Sequence, residues 1–216
     1  VHVHRTWMPA WTALHERLAA DPPDLILVSG DFVDDKADHR PALPLLRRFA
    51  GGLRARLGVW GVLGNHDTDL LPLRVDADWP VRLLYNDIIT LEHAGATLRL
   101  IGLHGIHNND ADDAVLASLP PRAPGVLTLA LSHTPTQSMR LRGKADVVFT
   151  GHTHGGQVCL PGGWPIITHD ALSRRFASGM HRFDPDFWLS VSRGCGFSSY
   201  AVRVFCPAEV VEIVFR

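Results

Sequence analysis

His152 and His154 flank one Thr in the run Gly151-His152-Thr153-His154-Gly155-Gly156-Gln157, directly after the apolar Val147-Val148-Phe149. In an extended segment alternate side chains share a face, so both imidazoles can point at one small volume. The flanking glycines allow tight turning and close approach of backbone to a bound group. Neutral imidazoles gathered with room beside them suit a metal ion; an isolated H-x-H is otherwise two polar residues of a surface loop. Three more polar clusters stand in the same context. Asp31 follows the apolar run from Leu25 to Val28, Asn65 and His66 follow Val59 to Leu63, and His133 follows Val126 to Leu131. Ligands of open α/β sheets bind beyond the carboxyl ends of the strands, so successive strand ends can carry these residues to one crevice. A carboxylate, an amide oxygen and several imidazoles form a mixed O/N donor set, better matched to Mn, Fe or Zn than to Ca.

The elements that must position these residues are legible in the pattern. Trp11, Leu14 and Leu18 recur at helical spacing, which predicts a helix from Pro9 to Ala20, ended by Asp21-Pro22-Pro23-Asp24. Leu43, Leu46, Phe49 and Leu53 predict a second helix. Leu25 to Val28 is a continuous apolar run, as expected of a strand buried on both faces. Ile88 to Leu91 and Thr97 to Leu103 flank His93-Ala94-Gly95, a hairpin signature. Helices are expected from Asp110 to Leu119 and from Thr136 to Leu141, with a strand from Asp146 to Thr150. Later, Val158 to Leu160, Trp188 to Ser192, Val202 to Phe205 and Val210 to Phe215 read as mostly short strands, and His169 and His181 lie in a long irregular stretch. The first two thirds thus resemble repeated β-α units and the last third an antiparallel arrangement.

Bulk properties narrow the function classes. At 216 residues and 46% hydrophobic content, one large domain with a sizeable core is expected. Lys plus Arg is 21 against 22 Asp plus Glu, which argues against general nucleic-acid binding. Cys159, Cys195 and Cys206 make no C-x-x-C and are odd in number, so neither a disulfide framework nor a thiolate zinc site is supported. No apolar run approaches the length of a membrane span and no signal peptide is visible. The 13 His residues are compatible with metal chemistry.

Gly30-Asp31-Phe32-Val33-Asp34, Gly64-Asn65-His66-Asp67, Ser132-His133-Thr134-Pro135 and Gly151-His152-Thr153-His154 resemble, in order, motifs of the calcineurin-like metallophosphoesterases. The family begins with D-x-H. Here Val1-His2 fits the last two positions, so the chain is expected to start just inside that motif, with the Asp falling before residue 1. Gly155-Gly156-Gln157 and the stretch from Ser192 to Glu209 resemble a bacterial, often membrane-associated subgroup of phosphodiesterases and a UDP-diacylglucosamine pyrophosphohydrolase of lipid A synthesis.

The resemblance implies an α/β fold, a four-layer α-β-β-α sandwich with two mixed sheets, in a single catalytic domain over residues 1–216. It implies two divalent metal ions (Mn, Fe or Zn) bridged by Asp31. One would take His2, Asp31 and His154; the other would take Asp31, Asn65, His133 and His152. Hydroxide held between the metals would attack a phosphodiester, phosphomonoester or pyrophosphate bond. His66 would act as general acid or as electrostatic partner of the phosphate, and Asp67 would orient the His66 ring directly or through a neighbour. The expected substrate is a small phosphate ester or a lipid-linked nucleotide, and the expected location is cytoplasmic or peripheral to the inner membrane. A catalytically impaired metal-binding scaffold on the same fold is the competing reading, and the retained His66 argues against it.

Several residues carry two readings. Asp34 orients a metal ligand or caps the following helix. His104 and His107 line the crevice or are polar surface. Trp164 contacts a ligand or packs in the core, and Arg174 and Arg175 meet a second phosphate or are simply solvated.

Overall fold

The computed structural model describes residues 1–68, 71–72, 75, 78–104 and 113–215. Its first sheet is three-stranded and parallel, in the order β1 (Ile26–Val28), β2 (Val59–Gly61), β3 (Val81–Leu83). Val3 adds a single parallel bridge to Val33. Helices α1 (Pro9–Ala20) and α2 (Leu43–Gly51) both carry Pro in the first turn, where its missing N–H costs nothing. Trp11, Leu46 and Phe49 face Val28, Val59 and Val81 and form one core between these helices and the sheet.

The second sheet has six strands: β4 (Asp87–His93), β5 (Ala96–Gly102), β6 (Val126–Leu131), β7 (Val147–Thr150), β10 (Gly179–Asp184) and β11 (Phe187–Val191), in spatial order β10-β11-β7-β6-β5-β4. Strands β5, β6, β7 and β11 run parallel, and the edge strands β4 and β10 are antiparallel to their neighbours. Alternation along each strand assigns side chains to opposite faces. Leu100, Leu129 and Val147 join Trp60 and Val62 in a core between the sheets. Ile101, Ala130 and Val148 turn the other way, onto Leu116 of α3 (Asp113–Ser118) and Leu141 just beyond α4 (Pro135–Ser138). Three cores therefore separate four layers, α-β-β-α. Because both faces of each sheet are covered, the central strands read as unbroken apolar runs.

Four expectations are corrected. The first sheet is parallel rather than mixed among the described residues. Val202 to Phe205 makes only a bridge between Val158 and Val204, and Val210 to Phe215 joins no ladder, with Val214 68% exposed. β-branched content suits a strand, but a strand also needs a partner edge. Conversely β10 lies in the stretch read as irregular; Gly-Met-His-Arg-Phe-Asp has little apolar content and is held by its pairing with β11. The last third is not wholly antiparallel, since β11 pairs β7 in parallel. The helix expected from Asp110 begins at Asp113 in the described residues, and His107 lies outside them. No helix among the described residues is long and apolar enough to cross a membrane.

Candidate metal centre

Strands β1 and β2 of one sheet and β6 and β7 of the other end on the same side of the molecule. Their exits carry Asp31, Asn65, His133 and His152. Close approach of these turns needs glycine. A Cβ on Gly64 would strike the Asp31 carboxylate and the His133 ring, and one on Gly30 would strike the backbone of Leu63 and Gly64. The chain start lies alongside: His2 N donates to Asp31 O at 2.6 Å and Val3 N to Phe32 O at 2.8 Å.

One half of the cluster centres on His133. Its Nε2 lies 3.1 Å from Asn65 Oδ1, 3.1 Å from His152 Nδ1 and 3.3 Å from Asp31 Oδ2. Its Nδ1 donates to Ser29 O at 2.6 Å, and His152 Nε2 donates to His169 O at 3.0 Å. Those carbonyls fix both tautomers and leave the facing nitrogens as bare lone pairs. In these tautomers four acceptors converge, and against the effect of burial Asp31 raises the His133 pKa, so a cation would take the place that a proton otherwise fills.

The other half centres on His2. Its Nδ1 donates to Asp34 Oδ1 at 3.0 Å, so its Nε2 is the bare nitrogen. That atom lies 3.0 Å from Asp31 Oδ2 and 2.9 Å from His154 Nε2. The buried His154 Nδ1 has no hydrogen-bond partner among the described residues. Asp31 Oδ2 thus faces both halves, while Asp31 Oδ1 accepts from His66 N at 2.8 Å. The residues present fit two cations sharing one carboxylate, and Asp31 with His2 and His66, or with His133 and His152, forms a group compact enough to hold an ion.

Electrostatics suit the same role. Burial and the neighbouring His133 push the His152 pKa down to about 4; burial and His2 push His154 down to about 2. Both rings are therefore neutral and able to ligate. Burial alone would raise the Asp31 pKa, but His133 and His2 hold it well below the usual carboxylate range. His2, Asp31, His152 and His154 all adopt positive φ (54°, 52°, 67° and 52°). Such backbone costs on the order of 1 kcal/mol or more per residue and collects at functional sites.

His66 stands beside the cluster, its ring centroid 4.5 Å from that of His2. Its Nδ1 donates to Asp34 O at 2.5 Å, leaving Nε2 unengaged by that bond. Asp67 makes no hydrogen bond to this ring among the described residues. It is fully buried, and its carboxylate accepts from Phe32 N, Val33 N and Gly64 N at 2.6, 3.2 and 2.8 Å. Burial and the nearby Asp31 raise its pKa to about 6, against the pull of those N–H groups. The orienting role falls to Asp34, whose carbonyl holds His66 and whose carboxylate holds His2 and accepts from Ser199 N at 3.1 Å. Asp34 caps no helix; α2 begins at Leu43 with Ala42 at its cap.

Sequence reasoning missed the carbonyls of Ser29 and His169, which have no sequence signature because any residue supplies one. His4 stacks on Phe197 and bonds its carbonyl at 2.9 Å instead of entering the cluster. His104 packs beside Tyr85, and His93 ends β4 with its Nε2 3.4 Å from Asp24 Oδ1. His15 bonds Phe49 O, and His181 bonds Ser178 O. Trp164 is half-exposed and so is not a core residue, and Arg174 and Arg175 are exposed.

Known proteins resemble this chain. It is 27% identical over 201 residues to a metallophosphoesterase of Helicobacter pylori, covering 88% of this chain and 50% of that protein. It is 28% identical over 205 residues to the metallophosphoesterase YkuE of Bacillus subtilis, covering 90% and 68%. It is 24% identical over 259 residues to the UDP-2,3-diacylglucosamine pyrophosphatase LpxG of Chlamydia muridarum, covering 91% and 75%. The chain thus spans between half and about two thirds of the length of the first two relatives. In fold it is similar to a 5'-nucleotidase precursor from Thermus thermophilus, with TM-score 0.52 at 18% identity, over 85% of this chain and 42% of that one. The calcineurin-like phosphoesterase family model matches residues 3–156, the span that carries Asp31, Asn65, His133, His152 and His154. The chain belongs to the calcineurin-like phosphoesterase family.

Proposed function

We propose that the chain forms one catalytic domain and is a dinuclear metal-dependent phosphoric ester hydrolase. The observation that carries this reading is the single oxygen, Asp31 Oδ2, facing two acceptor-only clusters at 3.0 and 3.3 Å. His2, Asp31 and His154 would hold one divalent cation, and Asp31, Asn65, His133 and His152 the other. Mn, Fe or Zn suits this donor set. When bound, such a pair neutralises charge on the phosphoryl oxygens and lowers the pKa of water to near neutral.

The chain's own residues supply the rest. The Ser29, His169 and Asp34 contacts keep three imidazoles in the ligating tautomer. Asp34 O anchors His66 Nδ1, so Nε2 is the atom that gives a proton to the leaving-group oxygen. Burial lowers the His66 pKa, with Asp31 opposing and His2 adding to the shift; a phosphoryl anion beside the ring would raise it toward the working range. The same core accommodates a phosphodiester, a phosphomonoester or a pyrophosphate, because flanking loops select the substrate. The likeness to LpxG, a UDP-2,3-diacylglucosamine pyrophosphatase, makes a lipid-linked nucleotide one candidate, and a small phosphate ester is the other.

The test is hydrolysis of a generic phosphodiester by metal-loaded protein, abolished by chelation and restored by Mn²⁺. A screen of phosphomonoesters, cyclic nucleotides and UDP-linked lipids then ranks the substrates. Metal-loaded protein that cleaves none of them would establish the scaffold reading instead.

A further inference from the structure

Beyond His154 the chain builds a surface that the metal centre does not use. The short hairpin β8 (Cys159–Leu160) and β9 (Trp164–Pro165) is joined to the 200–205 segment by the Val158–Val204 bridge. Cys159 N donates to Val204 O at 2.9 Å and Val204 N to Gln157 O at 3.0 Å. The Gln157 side chain clamps the same segment, accepting from Ser198 N at 2.8 Å and donating to Ser198 O at 3.0 Å. The face so fixed is apolar and open to solvent: Leu160, Trp164, Ile167 and Val202 are about half exposed or more, Phe205 is 60% exposed and Tyr200 79% exposed. Large exposed apolar patches on a soluble domain mark interaction surfaces. Phe205 also sits at φ 50°, so strained backbone holds an aromatic ring outward with no burial in return.

Charge narrows the partner. Residues 155–183 contain one acid, Asp170, and its carboxylate is taken by Thr136 and Leu172 N. Residues 193–208 contain none. The exposed Arg174 and Arg175 lie on the 3-10 turn that packs against β9. Aliphatic side chains, Trp, Tyr and Phe beside exposed cations, Arg175 lying over the Phe176 ring, match the chemistry of a lipid–water interface with anionic headgroups. The patch is continuous with the metal centre: Gln157 is three residues past His154, and Arg203 Nη1 donates to His154 O at 3.2 Å.

We propose that this face, formed by β8, β9 and the 200–205 segment with Arg174 and Arg175 at its edge, docks the protein on an anionic lipid bilayer. Docking would hold the mouth of the metal centre at the headgroup level, where lipid-borne phosphoesters lie. This placement rests on the hydrolase reading; the docking itself does not.

The test is vesicle flotation of the metal-loaded chain, with phosphatidylcholine alone and with about one third phosphatidylglycerol. Binding to the anionic vesicles is expected, weakened by salt. The double variants Trp164→Ser/Phe205→Ser and Arg174→Glu/Arg175→Glu should each weaken it by on the order of tenfold or more. Both variants should keep wild-type hydrolysis of a soluble phosphodiester, which reports an intact fold. Failure to float with anionic vesicles, equal binding to neutral vesicles, or unchanged binding by either variant would overturn the proposal. So would light scattering showing a dimer that Trp164→Ser/Phe205→Ser dissociates, or an acidic protein that competes the chain off the vesicles through Arg174 and Arg175 alone. Flotation without any hydrolysis would refute the hydrolase reading and leave docking standing, and hydrolysis without flotation would do the reverse.

Discussion

The two halves of the metal centre share Asp31 but are built to different standards. Around His133, each ring is locked from behind by a main-chain carbonyl, Ser29 O for His133 and His169 O for His152. Asn65 adds a neutral oxygen, so four acceptors from four strand exits converge. Around His2, one ring is locked by the Asp34 carboxylate, while His154 Nδ1 is buried without a partner among the described residues. Preorganisation is therefore stronger on the His133 side. A ligand whose far nitrogen is unsupported loses basicity and orientation, commonly worth about 10–100-fold in metal affinity.

Removing the shared atom erases the difference, and it is the largest expected effect. Asp31→Asn should strip metal from both halves and cut phosphodiester turnover by at least about 10³-fold, the upper range for deleting one preorganised electrostatic group. Elemental analysis reads the metals; retention of either one at wild-type occupancy would show that Asp31 is not the bridge. Next is His66, which lies outside both halves. His66→Ala should leave both metals bound while kcat falls by about 10²-fold, the lower range for a general acid. The loss should shrink on a p-nitrophenyl ester, whose leaving group needs no proton. Loss of metal instead would make His66 a ligand of the His2 side, with which it already forms a compact group.

The asymmetry itself is read by titration with a chelator. The His2 side should empty at roughly 10–100-fold lower chelator than the His133 side. His154→Ala should therefore lower occupancy by one metal, whereas His133→Ala should disturb both through its contact with Asp31. Equal midpoints would show that the unsupported His154 nitrogen is inconsequential. Asp34→Ala sharpens the same point, since it frees the His2 ring without touching the other half. Its expected cost is about tenfold in affinity on the His2 side alone, with a further loss of kcat only if its carbonyl shifts and releases His66.

The division between what was legible and what was not follows the same physics. Asp31, Asn65, His133, His152 and His154 were readable because each follows an apolar run long enough to declare a strand, and strand ends in such sheets converge. The four layers are implied by the family resemblance alone; the apolar central strands agree with them, since such strands need cover on both faces. The edge strand β10 was not readable, because its residues carry little apolar signal and pairing with β11 makes it a strand. Val210 to Phe215 failed in the opposite sense: its composition suits a strand, but it joins no ladder. Within the site the supports were hidden, since a carbonyl such as Ser29 O has no residue type. In the sequence Asp34 stands between two roles, because an Asp a few residues past a strand serves equally as cap or clamp until its partners are known.

Asp67 tests the comparison from beneath, because it touches neither half. Its two oxygens hold the exits of β1 and β2 together: Oδ1 accepts from Phe32 N and Val33 N, and Oδ2 from Gly64 N. Asp67→Asn replaces one oxygen with an NH₂ that cannot accept, so a buried backbone N–H loses its partner. The expected cost is about 1–3 kcal/mol, and each kcal/mol lowers Tm by about 2–4 °C for a chain of this size. Metal content and the pH profile of kcat should hold, because His66 takes its orientation from Asp34 O instead. Thermal unfolding and a pH–rate series on the same preparation read both. A displaced pH profile with an unchanged Tm would put Asp67 back in the proton chemistry and make its three backbone contacts incidental.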